Sequence, residues 1–511
     1  MTIDRRTLLT RAGVLATVAG SLEALYGASQ KRGAEPRRII FMVADGMSPS
    51  VLPLAEQFSL RVRGKGLLWH ALLDRPEAVR GWMDMASLDS LVTDSSSASS
   101  SWGSGSRIFN GWVNVLPDGT RLTPVMDLVR DKGWLTALVT TATVTHATPA
   151  GFAASVRRRD DEHLIAEQYL DKVDVILGGG RRFFMADSRK DGRDLVADFR
   201  RAGYACVENR AEMLVRAPEA RRLLGLFSGS HMPYTVDHRN SETARELVPT
   251  LAEMAATALA VLEKQNRPFL IQIEGARVDH AAHANDAAGL LWDQIAFDEA
   301  IETVLRFAES RPDTLVVITS DHGNSNPGLV GMGVEYRQSD ACFERLAGIK
   351  ASFSTISPRL AGTAEYSMKP EQPAGVAGGP PTIDRIQELA RQYFGFTFTQ
   401  EEAEILRRCA AGERRLCVNR QLDSAVGILG QAVGNHTGIF WTGTTHTSDY
   451  TLVTALGPGA DRFSGFLRNT EVFGALTQLA GIHFRNPSMD PAAARRFREV
   501  AFTPRERPDW A

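Results

Sequence analysis

Four cysteines in a chain of 511 residues are too few for a disulfide-built scaffold. Cys206, Cys342, Cys409 and Cys417 contain no Cys-x-x-Cys pair, so no thiolate zinc motif is present. Any metal bound by this chain must be held by imidazoles and carboxylates. Cys409 and Cys417 would close a short loop in an oxidising compartment, and free buried thiols are an equal alternative. An excess of charge of one sign is also missing. The 58 Lys and Arg against 60 Asp and Glu leave a net charge of −2, and no long basic run occurs. Bulk electrostatics therefore offers nothing to a nucleic acid. A phosphate ligand would need local positive charge, from metal ions or a specific arginine. Long apolar runs are absent too. The weakly apolar stretch from Ala12 to Ala28 is interrupted by Glu23 and is too short to anchor in a bilayer, and no later run reaches membrane length.

What precedes and ends that stretch is informative. Asp4-Arg5-Arg6-Thr7-Leu8-Leu9 is a charged segment ahead of an apolar one, and adjacent arginines before Leu-Leu resemble a twin-arginine export signal. Small residues in Tyr26-Gly27-Ala28-Ser29 suit cleavage. The expectation is an export signal over 1–29 and a periplasmic or extracellular protein. No cysteine follows the apolar stretch, so a lipid anchor is not expected.

Several β-rich runs end in a polar residue or a glycine turn. Arg38 to Ala44 runs into Asp45-Gly46, Trp134 to Thr140 toward His146 and Thr148, and Val173 to Leu177 into Gly178-Gly179-Gly180. Phe269 to Ile273 runs into Glu274-Gly275, Thr314 to Ile318 into Asp321-His322-Gly323, and Thr451 to Leu456 into Gly457-Pro458-Gly459. Continuous apolar runs suit strands buried on both faces. Helical patterns lie between them, over Ser241 to Lys264 and Ala288 to Ser310. Alternating strands and helices predict an α/β fold, a three-layer αβα sandwich with a mostly parallel central sheet. The stretch 327–435 differs. It holds a loop rich in Pro, Gly and Ala from Lys369 to Pro381 and a charged helical segment from Ile383 to Arg415, and it reads as an insertion in a catalytic domain over 37–487, with 488–511 as a tail.

In open α/β sheets ligands gather at the carboxyl ends of the strands. Here acids and histidines cluster just after the predicted strands. Asp279 and His283 are four residues apart, so a helix puts them on one face, where they can close on a single zinc. Asp321-His322 is a second acid–imidazole pair after a strand, Asp45 follows the first strand, and His446 stands in Thr444-Thr445-His446-Thr447. Any one of these alone reads as a helix cap or a satisfied polar residue. Their joint occurrence at strand ends points to a metal site.

The motifs together resemble the alkaline phosphatase family. They are Val92-Thr93-Asp94-Ser95 with Trp102, His146-Ala147-Thr148-Pro149-Ala150-Gly151, Asp174 to Gly180, Glu274-Gly275-Ala276, Thr319-Ser320-Asp321-His322-Gly323, and His446 ahead of Gly457-Pro458. They are ordered as in that family and cover roughly residues 38 to 480, with the 327–435 stretch matching poorly and corresponding to a crown-like region. The resemblance implies hydrolysis of small phosphate monoesters through a phosphoserine on Ser95. It implies a first zinc on Asp279, His283 and His446, and a second on Asp45, Asp321 and His322. A third ion, usually magnesium, would lie on Asp45, Thr148 and Glu274, and Arg159 would bind phosphate. Two positions that vary in the family are histidine here. His146 lies beside the third ion, where imidazole favours zinc or cobalt over magnesium, and His280 lies beside the phosphate. Ser96 and Ser97 stand where the family commonly has alanine. Family members are commonly homodimers.

The serine tract Ser95 to Ser101 has the composition of a flexible linker. It follows a predicted strand and ends at Trp102, which argues against that reading. Two other functions compete. A phosphodiesterase or sulfatase of the same superfamily would be expected to lack the arginine and the third-ion set, or to carry a Cys-x-Pro-x-Arg motif, which does not occur. A non-catalytic relative would lack a ligand or the nucleophile, and every position is filled.

Overall fold

The computed structural model describes residues 35–360 and 380–498, so the expected export signal over 1–29 lies outside the described residues, as does most of the Lys369 to Pro381 loop. Ten strands form the main sheet: β1 (Arg38–Ala44), β2 (Val79–Asp84), β3 (Leu135–Thr143), β4 (Val175–Gly179), β5 (Ala205–Val207), β6 (Leu223–Leu226), β7 (Phe269–Gly275), β8 (Thr314–Thr319), β9 (Thr451–Leu456) and β10 (Gly465–Arg468). Their order across the sheet is β10-β2-β9-β8-β1-β7-β3-β4-β6-β5. Among these strands β9 alone runs against its neighbours, β2 and β8, and the other pairings are parallel. The expected mostly parallel sheet is therefore present.

The helices that matter below are α1 (Val51–Arg63), α2 (Ser95–Ser104), α3 (Ala147–Ala153), α4 (Leu251–Glu263), α5 (Arg277–His283), α6 (Ala287–Glu309), α7 (Gln400–Ala410), α8 (Ala425–Thr437) and α9 (Glu471–Leu479). Strand alternation divides the core in two. Ile40, Met42 and Ala44 of β1 face α1, α4 and α6, while Ile39, Phe41 and Val43 face α2, α3 and α9. The result is the three-layer αβα sandwich. Phe41 ties the second layer together, its ring 5.2 Å from that of Trp102 on α2 and 5.4 Å from that of Phe152 on α3.

Two local expectations change. The helical pattern from Ser241 to Lys264 is two helices, Glu242–Leu247 and α4. Pro249 disfavours helical dihedrals at Val248, which is extended, and Thr250 then opens α4 with a capping box closed by Glu253. The serine tract is a buried helix rather than a linker, but no strand immediately precedes it, because β2 ends at Asp84. Its hydroxyls find partners within the helix and beside it. Ser101 donates to the Ser97 carbonyl, Ser104 to that of Ser100, and Ser97 to that of Ile108. Back-bonding of this kind lets serine sit inside a helix without burying an unpaired hydroxyl.

Between β8 and β9 the chain leaves the sheet. Its helices there, α7 and α8 among them, join the core that also holds α4 and α6, and the backbone N–H groups of Ser352 and Phe353 donate to Asp237 and Asp286. Cys409 and Cys417 are thiols, not joined to each other. Residues 488–498 of the expected tail pack through Met489, Ala494 and Phe497 against Leu88, Ile108, Phe109 and Trp112. No helix among the described residues is long and apolar enough to cross a membrane.

Candidate active site

The carboxyl ends of four adjacent strands, β8, β1, β7 and β3, converge on one spot. Asp45 follows β1, Glu274 is the penultimate residue of β7, and Asp321 and His322 follow β8. Beyond β3, His146 precedes α3 and Thr148 lies within it. Asp279 and His283 lie on α5, one turn apart. His446 belongs to a two-residue strand paired antiparallel with Gly323–Asn324, which places it beside His322. Ser95 is the first residue of α2, behind the N-cap Asp94.

These residues form three clusters of candidate cation ligands, each with its ligand atoms within 4.8 Å of one another: Asp279, His283 and His446; Asp45, Asp321 and His322; and Asp45, His146 and Glu274. In the first, Nε2 of His283 lies 3.3 Å from Asp279 Oδ2 and 3.0 Å from Nε2 of His446. In the second, Nε2 of His322 lies 3.2 Å from Asp321 Oδ2 and 3.6 Å from Asp45 Oδ1. The third contains His146, and Thr148 approaches it through a hydrogen bond of 3.3 Å from its hydroxyl to Asp45 Oδ2. The Oγ of Ser95 lies 3.1 Å from Nε2 of His322.

The histidines are oriented from behind. Nδ1 of His283 donates to the Thr444 carbonyl at 2.7 Å, that of His446 to the Thr93 carbonyl at 2.8 Å, and that of His322 to the Gly323 carbonyl at 3.3 Å. Assigning the proton to Nδ1 in each ring leaves the Nε2 lone pair facing the cluster, the usual support for a metal-ligating imidazole. Burial also shifts two of these rings. It takes His322 well below the ordinary histidine range and brings His446 down to about 4.

The carboxylates carry the opposite signature. Burial, then the charges of Asp321, Asp279 and Glu274, raises Asp45 well above the ordinary range, and burial raises Glu274. Burial, with Asp279 adding repulsion, pushes Asp321 up to about 8. Asp279 goes the other way. Burial opposes ionisation there, but His283, His446 and His322 outweigh it and hold the group well below its usual value. Asp45 Oδ1, Glu274 Oε1, Asp321 Oδ2 and His146 Nδ1 are buried with no hydrogen-bond partner. Three buried acids with orphaned oxygens are costly unless cations compensate them. The donor set of imidazole nitrogen and carboxylate oxygen, without thiolate, fits zinc in the first two clusters.

Backbone detail holds this arrangement. Gly46 has φ +68°, and a Cβ there would lie 2.4 Å from Asp279 Oδ1. Its N–H donates to Asp321 Oδ1 at 3.0 Å, so one glycine serves two clusters. The helices α2 and α3 touch through their backbones, since a Cβ on Gly103 would fall 1.9 Å from the Gly151 carbonyl oxygen. Ser99 Oγ donates to the Thr148 carbonyl at 2.6 Å across this contact, setting the helix of Ser95 against the helix of Thr148.

Arg159 reaches the site from the loop after α3. Nη1 donates to Asp94 Oδ2 at 3.2 Å and Nη2 to His146 Nε2 at 2.9 Å. His280 packs on His146 with ring centroids 5.6 Å apart, and Arg277 Nη1 donates to its Nδ1 at 2.6 Å. Sequence reasoning missed three neighbours: the support of Asp94 for Arg159, the guanidinium of Arg277, and His231, whose ring lies 4.4 Å from that of His280. An N-cap pattern before α2 could have signalled Asp94. No spacing signal pointed to His231.

Known proteins share this architecture. A family model described as alkaline phosphatase matches residues 36–482. Alkaline phosphatase 3 of Bacillus subtilis is 28% identical over 391 residues, covering 75% of this chain and 75% of the relative. The streptomycin-6-phosphate phosphatase of Streptomyces griseus is 32% identical over 412 residues, covering 70% of this chain and 89% of the relative. The crystal structure of Thermus thermophilus alkaline phosphatase superposes with a TM-score of 0.83 at 32% identity, over 93% of this chain and 98% of that one. With its motifs, sheet and clustered acids and histidines in agreement, this chain belongs to the alkaline phosphatase family.

Proposed function

We propose that this phosphatase hydrolyses phosphate monoesters through a phosphoserine on Ser95, with two zinc ions and one magnesium ion as resident cations. The observation that carries the reading is the position of the Ser95 hydroxyl, 3.1 Å from His322 of the second cluster, whose ring stacks on that of His446 of the first. The first zinc belongs to Asp279, His283 and His446, and the second to Asp45, Asp321 and His322. The third ion belongs to Asp45, Glu274 and Thr148. The proximity of His146 supports competition by zinc or cobalt for that position.

Bound divalent cations supply the positive charge that favours a serine alkoxide and offsets the charge of the phosphoryl oxygens. The chain's own residues do the rest. Ser95, presented at the N-terminus of α2, attacks phosphorus, forming its Oγ–P bond as the bond to the leaving oxygen breaks. Arg159 holds non-bridging oxygens through its amino groups. The proton released from Ser95 ends on the leaving alcohol. Water then attacks phosphorus from the opposite side, the Oγ–P bond breaks, and one proton of that water goes to Ser95 Oγ while the other leaves with inorganic phosphate. His280 lies beside the phosphate, its ring held by Arg277.

The catalytic domain spans 37–487 with 327–435 as an insertion, 1–29 directs export to the periplasm or beyond, and the protein is a homodimer. These readings rest on motif positions and on the family's habits. Ser95→Ala tests the chemistry. The variant keeps the cation content of the wild type and loses turnover of p-nitrophenyl phosphate, whereas retained turnover would remove Ser95 from the mechanism. A higher kcat/KM on bis-p-nitrophenyl phosphate than on the monoester would make the protein a diesterase instead. Absence of turnover in a fully metallated wild type would leave a non-catalytic relative.

A further inference from the structure

Asp94 stands between the nucleophile helix and Arg159. Its Oδ1 accepts from the Ser97 N–H at 2.9 Å and from the Ser96 hydroxyl at 2.8 Å. Its Oδ2 accepts from the Ser96 hydroxyl at 2.6 Å, from the Gly111 N–H at 2.9 Å and from Arg159 Nη1 at 3.2 Å. A carboxylate offers about four lone-pair positions. Four donor groups therefore fill Asp94, and three of them crowd Oδ2. The contact to Arg159 is the longest of the set, beyond the ~2.7–2.9 Å of a strong charge-assisted hydrogen bond. Ser96 is fully buried, and its hydroxyl straddles both oxygens of the carboxylate.

We propose that Ser96 is a positioning residue for Arg159: by occupying Asp94 from the helix side, its hydroxyl loosens the Asp94–Arg159 contact and thereby sets how tightly phosphate is held. This inference rests on the reading of Arg159 as the phosphate ligand. The tether and the ligand do not compete for the same protons, because each amino group of a guanidinium carries two and Asp94 and His146 each meet a different one. A more firmly tethered guanidinium loses less freedom when it closes on phosphate, so a stronger contact to Asp94 means tighter binding. Ser96 sacrifices some of that preorganisation, and inorganic phosphate leaves more readily.

The test is product inhibition of the metallated enzyme, with p-nitrophenyl phosphate as substrate and inorganic phosphate as inhibitor. Ser96→Ala removes one donor from Asp94, and the inhibition constant for phosphate falls by about three- to tenfold, the range set by one net hydrogen bond. Turnover at saturation falls or holds, while the cation content is unchanged. Ser101→Ala is the control. It deletes a hydroxyl on the same helix that bonds the Ser97 carbonyl rather than Asp94, and the inhibition constant stays at the wild-type value. An unchanged or higher constant in Ser96→Ala overturns the inference, and so does an equal fall in both variants. Arg159→Ala, measured in the same series, separates the two levels. If it leaves phosphate inhibition unchanged, the role of Arg159 fails and Ser96 fails with it. If it weakens inhibition while Ser96→Ala matches wild type, only the role of Ser96 fails.

Discussion

The Oγ of Ser95 lies 3.1 Å from Nε2 of His322, and the ring of His322 stacks on that of His446 at 3.7 Å. One side chain at the start of a helix thus meets the ends of two elements far away in sequence. His322 belongs to the second cluster and His446 to the first, so the Ser95 hydroxyl touches one group of candidate cation ligands and borders another. The tolerance of such an arrangement to displacement is small, since a shift near 1 Å at a reacting group can cost about 10²-fold in rate.

Gly46 is where that tolerance is least. Gly46→Ala places a Cβ against Asp279 and demands a left-handed backbone from alanine. The expected cost is about 1–3 kcal/mol of stability, with loss of cation from the Asp279 cluster and at least a tenfold fall in kcat/KM. Thermal unfolding and elemental analysis of the purified variant check both. Wild-type zinc content would show that the glycine is not needed for the site.

Cation removal should destabilise the whole fold. The orphaned oxygens of Asp45, Glu274 and Asp321 lie at the ends of three central strands, so their repulsion acts on the middle of the sheet. Ions that bind only the folded state stabilise it by about 2.7 kcal/mol at a hundredfold excess over Kd. Treatment with a chelator should lower Tm by several degrees, and added zinc should restore it. An unchanged Tm after complete removal, verified by elemental analysis, would contradict the charge balance described here.

The contact between α2 and α3 gives a third expectation. Gly151→Ala puts a Cβ 2.4 Å from Ser99 Oγ and 2.7 Å from the Ser99 backbone carbon, so the two helices must move apart and strain the bond to the Thr148 carbonyl. Overpacking of this kind costs roughly 1–3 kcal/mol. Because the helices carry Ser95 and Thr148, turnover should fall more than the fraction of folded protein does. Circular dichroism and kcat on the same sample separate the two effects.

Asp293 provides a pH dependence away from the clusters. Burial, opposed by Arg277 and Thr235, pushes its carboxyl up to about 7. The native state then holds this proton more tightly than the unfolded chain, whose Asp titrates near ~3.9. From about pH 4 to 7 the native state binds more protons, so stability falls as pH rises, by up to about 1.4 kcal/mol per unit. Below that window and above it the group adds no slope. Asp293→Asn removes the titration, and its hydroxyl partner Thr235 can reverse to accept from the amide. In chelator-treated samples, urea midpoints between pH 5 and 7 should decline less in the variant than in the wild type. Parallel declines would assign the slope to other groups.

Much of the architecture was readable from runs of residues. The apolar strands β1, β7, β8 and β9 announced themselves because a strand buried on both faces must be apolar throughout. The pairing of Asp279 with His283 followed from helix geometry alone. β2 and β10 were not legible. Trp82 of β2 and Phe466 of β10 stay about half exposed at the sheet margin, while their neighbours alternate with charges and glycine. The division of the Ser241 to Lys264 pattern was signalled by Pro249, whose effect on the preceding residue outweighs the apolar periodicity around it.

By itself the sequence determined the kind of chemistry: no Cys-x-x-Cys pair for a thiolate site, no bulk charge for nucleic acid, and acids and imidazoles set at the ends of buried strands. Which of them meet was decided only by tertiary structure. His146 joins Asp45 and Glu274, Asp94 is shared between Ser96 and Arg159, and His231 lies against His280, because parallel strands far apart in the chain are laid side by side. Sequence spacing describes neighbours along one helix or strand. Proximity across a sheet depends on strand order and register, which packing of the two cores selects.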